Sequence, residues 1–180
     1  MKNQTLRLSL ILLLVAAITA GILGVINYFT APIIAQRNLE STMESYAAVI
    51  PADSYEDVEY TGDDPTITKI CKAADGSGWV FETSFSGAQG MISMVIGVSS
   101  EYKCTGISII SHSETSGLGA VAAEQSEKGE AFRNQFIGVD ETAALQKNGG
   151  DIVQISGATI TSNAITTEVD LCITVAKTLG

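Results

Sequence analysis

Residues 8–29 are apolar at nearly every position, interrupted only by Ser9, Thr19 and Asn27, and carry no charge. A helix rising about 1.5 Å per residue crosses the hydrocarbon core of a bilayer in roughly 20 residues, so the run predicts a transmembrane helix. A cleaved signal peptide competes with this reading, since Ala17-Ile18-Thr19-Ala20 offers small residues near a cleavage point. The apolar run continues well past Ala20, beyond the roughly 7–15 residues of a signal core, which favours an uncleaved anchor. No cysteine follows the run closely, so a lipoprotein anchor is excluded. Lys2 and Arg7 precede it, and Arg37 is the only basic residue soon after. By the positive-inside rule the N-terminus is expected in the cytoplasm and the remainder outside it.

Beyond the anchor the pattern changes period. Ala31-Pro32 predicts a break, and residues 34–50 read as a juxtamembrane helix stopped by Pro51. Residues 52–65 are acidic and turn-rich and read as a linker. Four strand-like runs follow, at 66–73, 78–85, 91–98 and 103–110. In the second, Trp79, Phe81 and Phe85 fall on alternating positions, while the third is apolar almost throughout. Short Gly- and Ser-bearing links between the runs favour antiparallel neighbours. A helix is expected over 120–132, then a turn at 147–150, a short strand at 151–155 and a helix over 162–179. That last helix places Ile165, Val169, Cys172, Ala176 and Leu179 along one face, the stripe expected to pack on the sheet. The fold class is therefore α+β: a membrane anchor at 1–30, a juxtamembrane helix and linker at 31–65, and an antiparallel-sheet domain with flanking helices at 66–180.

Charge narrows the partners. All 20 acidic residues and 8 of the 10 basic ones follow the anchor, which leaves the outer part at −12. A surface so acidic argues against nucleic acid and against anionic headgroups, and its simplest role is solubility. Cys71, Cys104 and Cys172 are scattered and form no Cys-x-x-Cys pair, so zinc and iron–sulfur spacings are absent and buried free thiols are expected. His112 is the only histidine and no nucleophile-elbow sequence accompanies it, which disfavours a hydrolase triad. Gly117-x-Gly119-x-x-Ala122, with Asp140 downstream, loosely fits a dinucleotide fingerprint. Its glycines do not directly follow a strand and no βαβ series surrounds them, so it reads as a decoy.

The run Ser156-Gly157-Ala158-Thr159-Ile160-Thr161 joins the 151–155 segment to the last helix. A small-residue turn that opens a helix gathers backbone N–H groups at the positive end of the helix dipole, a setting suited to phosphate. Capping of the helix alone would call for similar residues, and spacing by itself favours that plainer explanation.

The wording of the run resembles the flavinylation motif of the FMN-binding domain family. His112-Ser113-Glu114-Thr115-Ser116-Gly117-Leu118-Gly119 resembles that family's second signature, His-x-Glu-Thr-Pro-Gly-Leu-Gly, with Ser116 in place of the proline. Phe132-Arg133-Asn134-Gln135-Phe136-Ile137-Gly138 resembles the family between the two, and with the N-terminal segment the likeness covers most of the chain. Val153 stands where many members carry an aspartate, and Asp151 is out of register with it. The resemblance implies FMN tied through its phosphate to Thr161, supported by Ser156, Gly157, Ala158 and Thr159. It implies contacts to the flavin from Glu114 and Thr115, close backbone approach at Gly117 and Gly119, and a cover for the ring from Leu118. It implies an electron-carrying subunit of a membrane-bound, ion-translocating ferredoxin:NAD+ oxidoreductase. Its partners would be the integral membrane and redox subunits of that complex, the lipid bilayer, and a flavin transferase for maturation. The alternatives are the related subunit of a sodium-translocating NADH:quinone reductase, or a free-standing membrane-anchored flavoprotein.

Overall fold

A computed structural model describes residues 2–60, 62–140 and 142–180, with the side chains of 2, 3, 5 and 32–40 left aside. The chain forms two compact units, residues 1–41 and 42–180. Helix α1, Lys2–Val49, begins in the first and ends in the second. Within it Leu6–Ala31 has a mean hydropathy of 2.7 and is long and apolar enough to cross a membrane. Its leucines and isoleucines are exposed, as a lipid-facing surface requires. The break expected at Ala31-Pro32 does not occur, because α1 continues through it. A proline removes only one helical hydrogen bond, a loss that a long apolar helix can carry.

The second unit is a five-stranded antiparallel meander, in the order β1 (Tyr55–Val58), β2 (Ile67–Ala73), β3 (Gly78–Ser86), β4 (Met91–Ser99) and β5 (Cys104–His112). Strands β2 to β5 lie where the alternating and continuous apolar runs predict them. Strand β1 falls inside the expected linker and corrects it: Tyr55 to Val58 pair with Ala73 to Ile70. As an edge strand bearing exposed Glu56 and Asp57 it has the charge that edges use against aggregation. No parallel pairing exists between the named strands, which removes the βαβ setting a dinucleotide fingerprint needs.

Both faces of the sheet are covered, and the period of two decides what covers each. Trp79, Phe81 and Phe85 of β3 join Ile92, Met94, Ile96 and Val98 of β4 on one face. Helix α3, Thr159–Leu179, lays Ile165, Val169, Cys172 and Ala176 on that face, with Leu179 partly buried at its end. The expected stripe is therefore the packed one, and each fully buried branched side chain contributes about 1.5–3 kcal/mol. On the other face the end of α1 supplies Tyr46 and Val49, followed by Ile50, against Cys71, Val80 and Val95. A Cβ at Gly97 would meet Val49 and Ile50 at 2.9 and 3.0 Å, so the glycine lets the helix end lie flat on β4. Thr105 Oγ1 donates to the Val49 carbonyl at 2.5 Å and fixes the same junction.

Two expected elements differ. The helix over 120–132 is divided into a 3-10 turn, Gly119–Ala122, and helix α2, Glu127–Asn134. Ser126 starts α2 afresh as its N-cap, accepting from the Gly129 amide. The strand at 151–155 is reduced to one parallel bridge, Leu145 to Ile152. No strand edge reaches Val153; instead the Gln135 side chain takes both its backbone groups, at 2.7 Å from the N–H and 3.1 Å to the carbonyl. The three cysteines are buried thiols, and burial pushes Cys104 up to about 12.

Glu168 of α3 is buried beneath the sheet with Oε1 unbonded. Burial raises its pKa, the Thr66 hydroxyl opposes the rise, and Asp64 adds to it. The folded state thus binds this proton more tightly than the unfolded chain, and the ionised carboxylate destabilises the fold above the folded pKa. Glu168→Gln is expected to raise the thermal midpoint at pH 7. The gain should vanish as pH falls below the unfolded value near about 4.3, where wild-type Glu168 is neutral in both states. Melting curves at pH 4 and pH 7 check the sign; an equal effect at both pH values refutes the charge explanation.

Candidate functional site

The two signature segments meet at the end of the sheet. Strand β5 stops at His112 and the chain turns sharply there, with His112 Nδ1 accepting the Glu114 backbone N–H at 3.2 Å. The lone histidine therefore shapes this loop. Its turn directs the Glu114 side chain inward, where it is buried. Glu114 Oε1 accepts the Gln89 amide at 3.0 Å, and Oε2 accepts the Thr161 hydroxyl at 2.5 Å. Burial pushes this carboxyl up. The amide of Gln89, the Thr161 hydroxyl and the amides of Ala88 and Gly90 together outweigh burial and hold it below the ordinary carboxylate range. Glu114 is thus an anion secured by donors from the β3–β4 loop.

Glycines allow this close approach. A Cβ on Gly119 would press on the Glu114 carboxylate and lie 2.7 Å from Thr161 Oγ1. Gly157 has φ +75°, a left-handed backbone that lets the 156–158 turn fold under Leu118, whose Cδ2 would lie 3.0 Å from an added Cβ. The Thr115 carbonyl accepts the amides of Leu118 and Ala120, which winds the loop into the 3-10 turn.

The start of α3 is unusual. Its N-cap is Ala158, which cannot cap, and no side chain substitutes for it. The Ala158 amide bonds to the Ile155 carbonyl, while the amides of Thr159, Ile160 and Thr161 make no hydrogen bond among the described residues. An uncapped 21-residue helix presents free donors and the positive end of its dipole to this corner. Ser162, which sequence reasoning passed over, braces the turn: its hydroxyl accepts the Ile155 amide at 3.0 Å and donates to the Ala158 carbonyl at 2.9 Å. Its residue type gives no signal, because Ser in a first helical turn is common. The loop at 88–90 was also missed, since it acts through backbone amides that no residue type signals.

The expected site residues therefore come together, with distinct exposures. Thr161 is 1% exposed, whereas Ser156, Gly157, Thr115, Gly117 and Leu118 face solvent, Thr159 is half-buried, and Ala158 and Gly119 are buried. A groove of about 650 Å³ opens beside them, walled by Gly117 and Ser156 from the two signatures and by Val121, Phe132, Lys128 and Ile155. Its size and mixed lining suit a flat aromatic ligand with polar edges.

Comparison with known proteins gives the chain a family. The family model described as the FMN-binding domain matches residues 87–174, a span that includes both signatures. The model described as the RnfG N-terminal region matches residues 1–49. A protein of Methanosarcina acetivorans, named as the G subunit of an ion-translocating oxidoreductase complex, is 32% identical over 164 residues, covering 86% of this chain and 85% of that protein. The chain belongs to the RnfG family. Another RnfG relative, from Acetobacterium woodii, is 30% identical over 97% of this chain and 92% of its own, and is named as the G subunit of a Na(+)-translocating ferredoxin:NAD(+) oxidoreductase complex. An RnfG relative from Clostridium ljungdahlii, 27% identical over 92% of this chain and 88% of its own, is named as the proton-translocating counterpart.

The donor set of this RnfG chain fits an FMN phosphate. Three free amides at an uncapped helix start, an adjoining hydroxyl and a neighbouring groove provide donors for an anion and room for a ring. The Glu114 carboxylate, which accepts the Thr161 hydroxyl, opposes a phosphate bound at this corner.

Proposed function

We propose that this chain is the electron-carrying subunit of a membrane-bound, ion-translocating ferredoxin:NAD+ oxidoreductase, and that its FMN is held by a phosphoester to Thr161. The observation that carries the reading is the contrast between the two threonines of the motif. Thr161 lies in the first turn of an uncapped helix with its hydroxyl bonded to an ionised carboxylate. The Thr159 hydroxyl has no such partner among the described residues.

FMN, when bound, supplies one- and two-electron redox chemistry. The chain's own residues hold and orient. The amides of Thr159, Ile160 and Thr161 would donate to the phosphate, Ser162 and Gly157 keep the turn in shape, and Leu118 lies over that turn. A covalent link prevents loss of the cofactor on a membrane face with no pool to replace it. Lys2 and Arg7 before the apolar helix support a cytoplasmic N-terminus and, in this reading, a flavin domain on the far side. The anchor then tethers the domain beside its integral partners. A flavin transferase is the maturation partner this attachment requires.

Mass spectrometry of the peptide containing residues 156–161, from protein made alongside a flavin transferase, tests the reading. The expected result is an added FMN phosphoester fragmenting from Thr161. An unmodified peptide from natively matured protein overturns it.

A further inference from the structure

The Thr161–Glu114 contact is a reactive pair in its geometry. Thr161 is a neutral alcohol, and an alcohol attacks phosphorus efficiently only when a base removes its proton in the transition state. Its hydroxyl is bonded at 2.5 Å to Glu114 Oε2, 47 residues away in sequence. Among the described residues it bonds no other side chain. His112, the other candidate base nearby, has its Nδ1 occupied by the Glu114 amide. Gly119 lacks the Cβ that would separate the pair.

We propose that Glu114 is the general base that arms Thr161 for its own flavin attachment, an inference that rests on the Thr161 reading above. A free phosphate monoester is a poor electrophile, so the donor must be an FMN-containing phosphoanhydride such as FAD, presented by the transferase. Thr161 Oγ1 attacks the phosphorus of the FMN half and the Oγ–P bond forms. The anhydride P–O bond breaks, AMP leaves, and the hydroxyl proton passes to Glu114 Oε2. No electron is transferred. Glu114 then releases that proton to solvent, because its amide donor favours the ionised form.

The anchoring of Glu114 suits this role. Its amide partner at Gln89 belongs to the β3–β4 loop, outside residues 115–118, which are exposed and adjoin the buried pair. Those residues and Gly119 must shift for a donor to reach Oγ1, and the Gln89 amide keeps the carboxylate in place meanwhile. That amide also favours its ionised form, the form a base must start from.

The test compares full-length Glu114→Gln and Glu114→Asp as substrates of purified flavin transferase with FAD. The readout is the initial rate of flavin fluorescence that survives denaturation, with circular dichroism checking the fold. Gln keeps the shape and the hydrogen-bond acceptor but cannot take a proton; Asp keeps the base and loses a methylene. A base predicts a loss of about 100-fold for Gln, in kcat and not in KM for the protein substrate, with Asp at least tenfold faster than Gln. A merely structural carboxylate predicts that Gln, the closer shape, does as well as Asp or better. Equal rates for Asp and Gln at any level, or Gln within about twofold of wild type, overturn the assignment. Labelled wild type with either pattern leaves the Thr161 reading intact; no label on wild type overturns that reading instead.

Discussion

Thr161→Val is expected to abolish denaturation-resistant flavin fluorescence, while Thr159→Val retains a large part of it. Valine reproduces the shape of threonine and removes the oxygen. Thr161 is 1% exposed and packs in the first turn of α3, so the isosteric change leaves no cavity. It leaves Glu114 with one donor fewer, a cost of about 1–3 kcal/mol for a buried acceptor, softened because the Gln89 amide remains. A domain with about 5–15 kcal/mol of stability tolerates that loss. The lost signal would then reflect chemistry and not unfolding, which circular dichroism verifies. Thr161→Ser separates the two contributions further, since it restores an oxygen and should restore labelling. Full fluorescence in Thr161→Val would falsify the attachment site outright. Loss in Thr159→Val with retention in Thr161→Val would move the site to Thr159.

The hydrophobic pattern made most of this fold readable, and the exceptions share a cause. Strands β3 and β4 were visible because burial of alternate or nearly all positions leaves a matching apolar pattern in the sequence, and β2 and β5 because short turn-bearing links bound their apolar runs. Strand β1 was invisible because Tyr55-Glu56-Asp57-Val58 is an edge, where charge is tolerated and wanted. Residues 151–155 looked like a strand by composition, yet the Gln135 side chain replaces the neighbouring strand they would need. The apolar spacing over 120–132 could not reveal that Ser126 restarts the helix. The site divides the same way. Its motif residues were legible by resemblance, but the contact between Glu114 and Thr161 was not, because only the folded meander brings the end of β5 to the start of α3. The loop at 88–90 works through backbone amides, so its residue types gave no signal at all.

The site depends on that meander, and Phe81→Ala probes it most severely. Phe81 is fully buried in β3, the central strand, paired with Ile70 on one side and Ile96 on the other. It belongs to the face that α3 covers, the helix whose first turn carries Thr161. Truncation deletes an aromatic ring from a core packed on every side, which costs about 3–5 kcal/mol because the sheet cannot collapse to fill the space. At roughly 4 °C per kcal/mol for a domain of this size, the midpoint should fall by about 12–20 °C. Met91→Ala, at an exposed position on the neighbouring strand, should change stability by less than about 0.5 kcal/mol. The consequence for attachment follows from geometry: a loosened core lets the start of α3 drift from Glu114. Labelling of Phe81→Ala should therefore weaken on warming before the domain unfolds globally. If its labelling follows wild type up to its own melting point, the corner is held by the signature loops alone, and the sheet does no more than connect them.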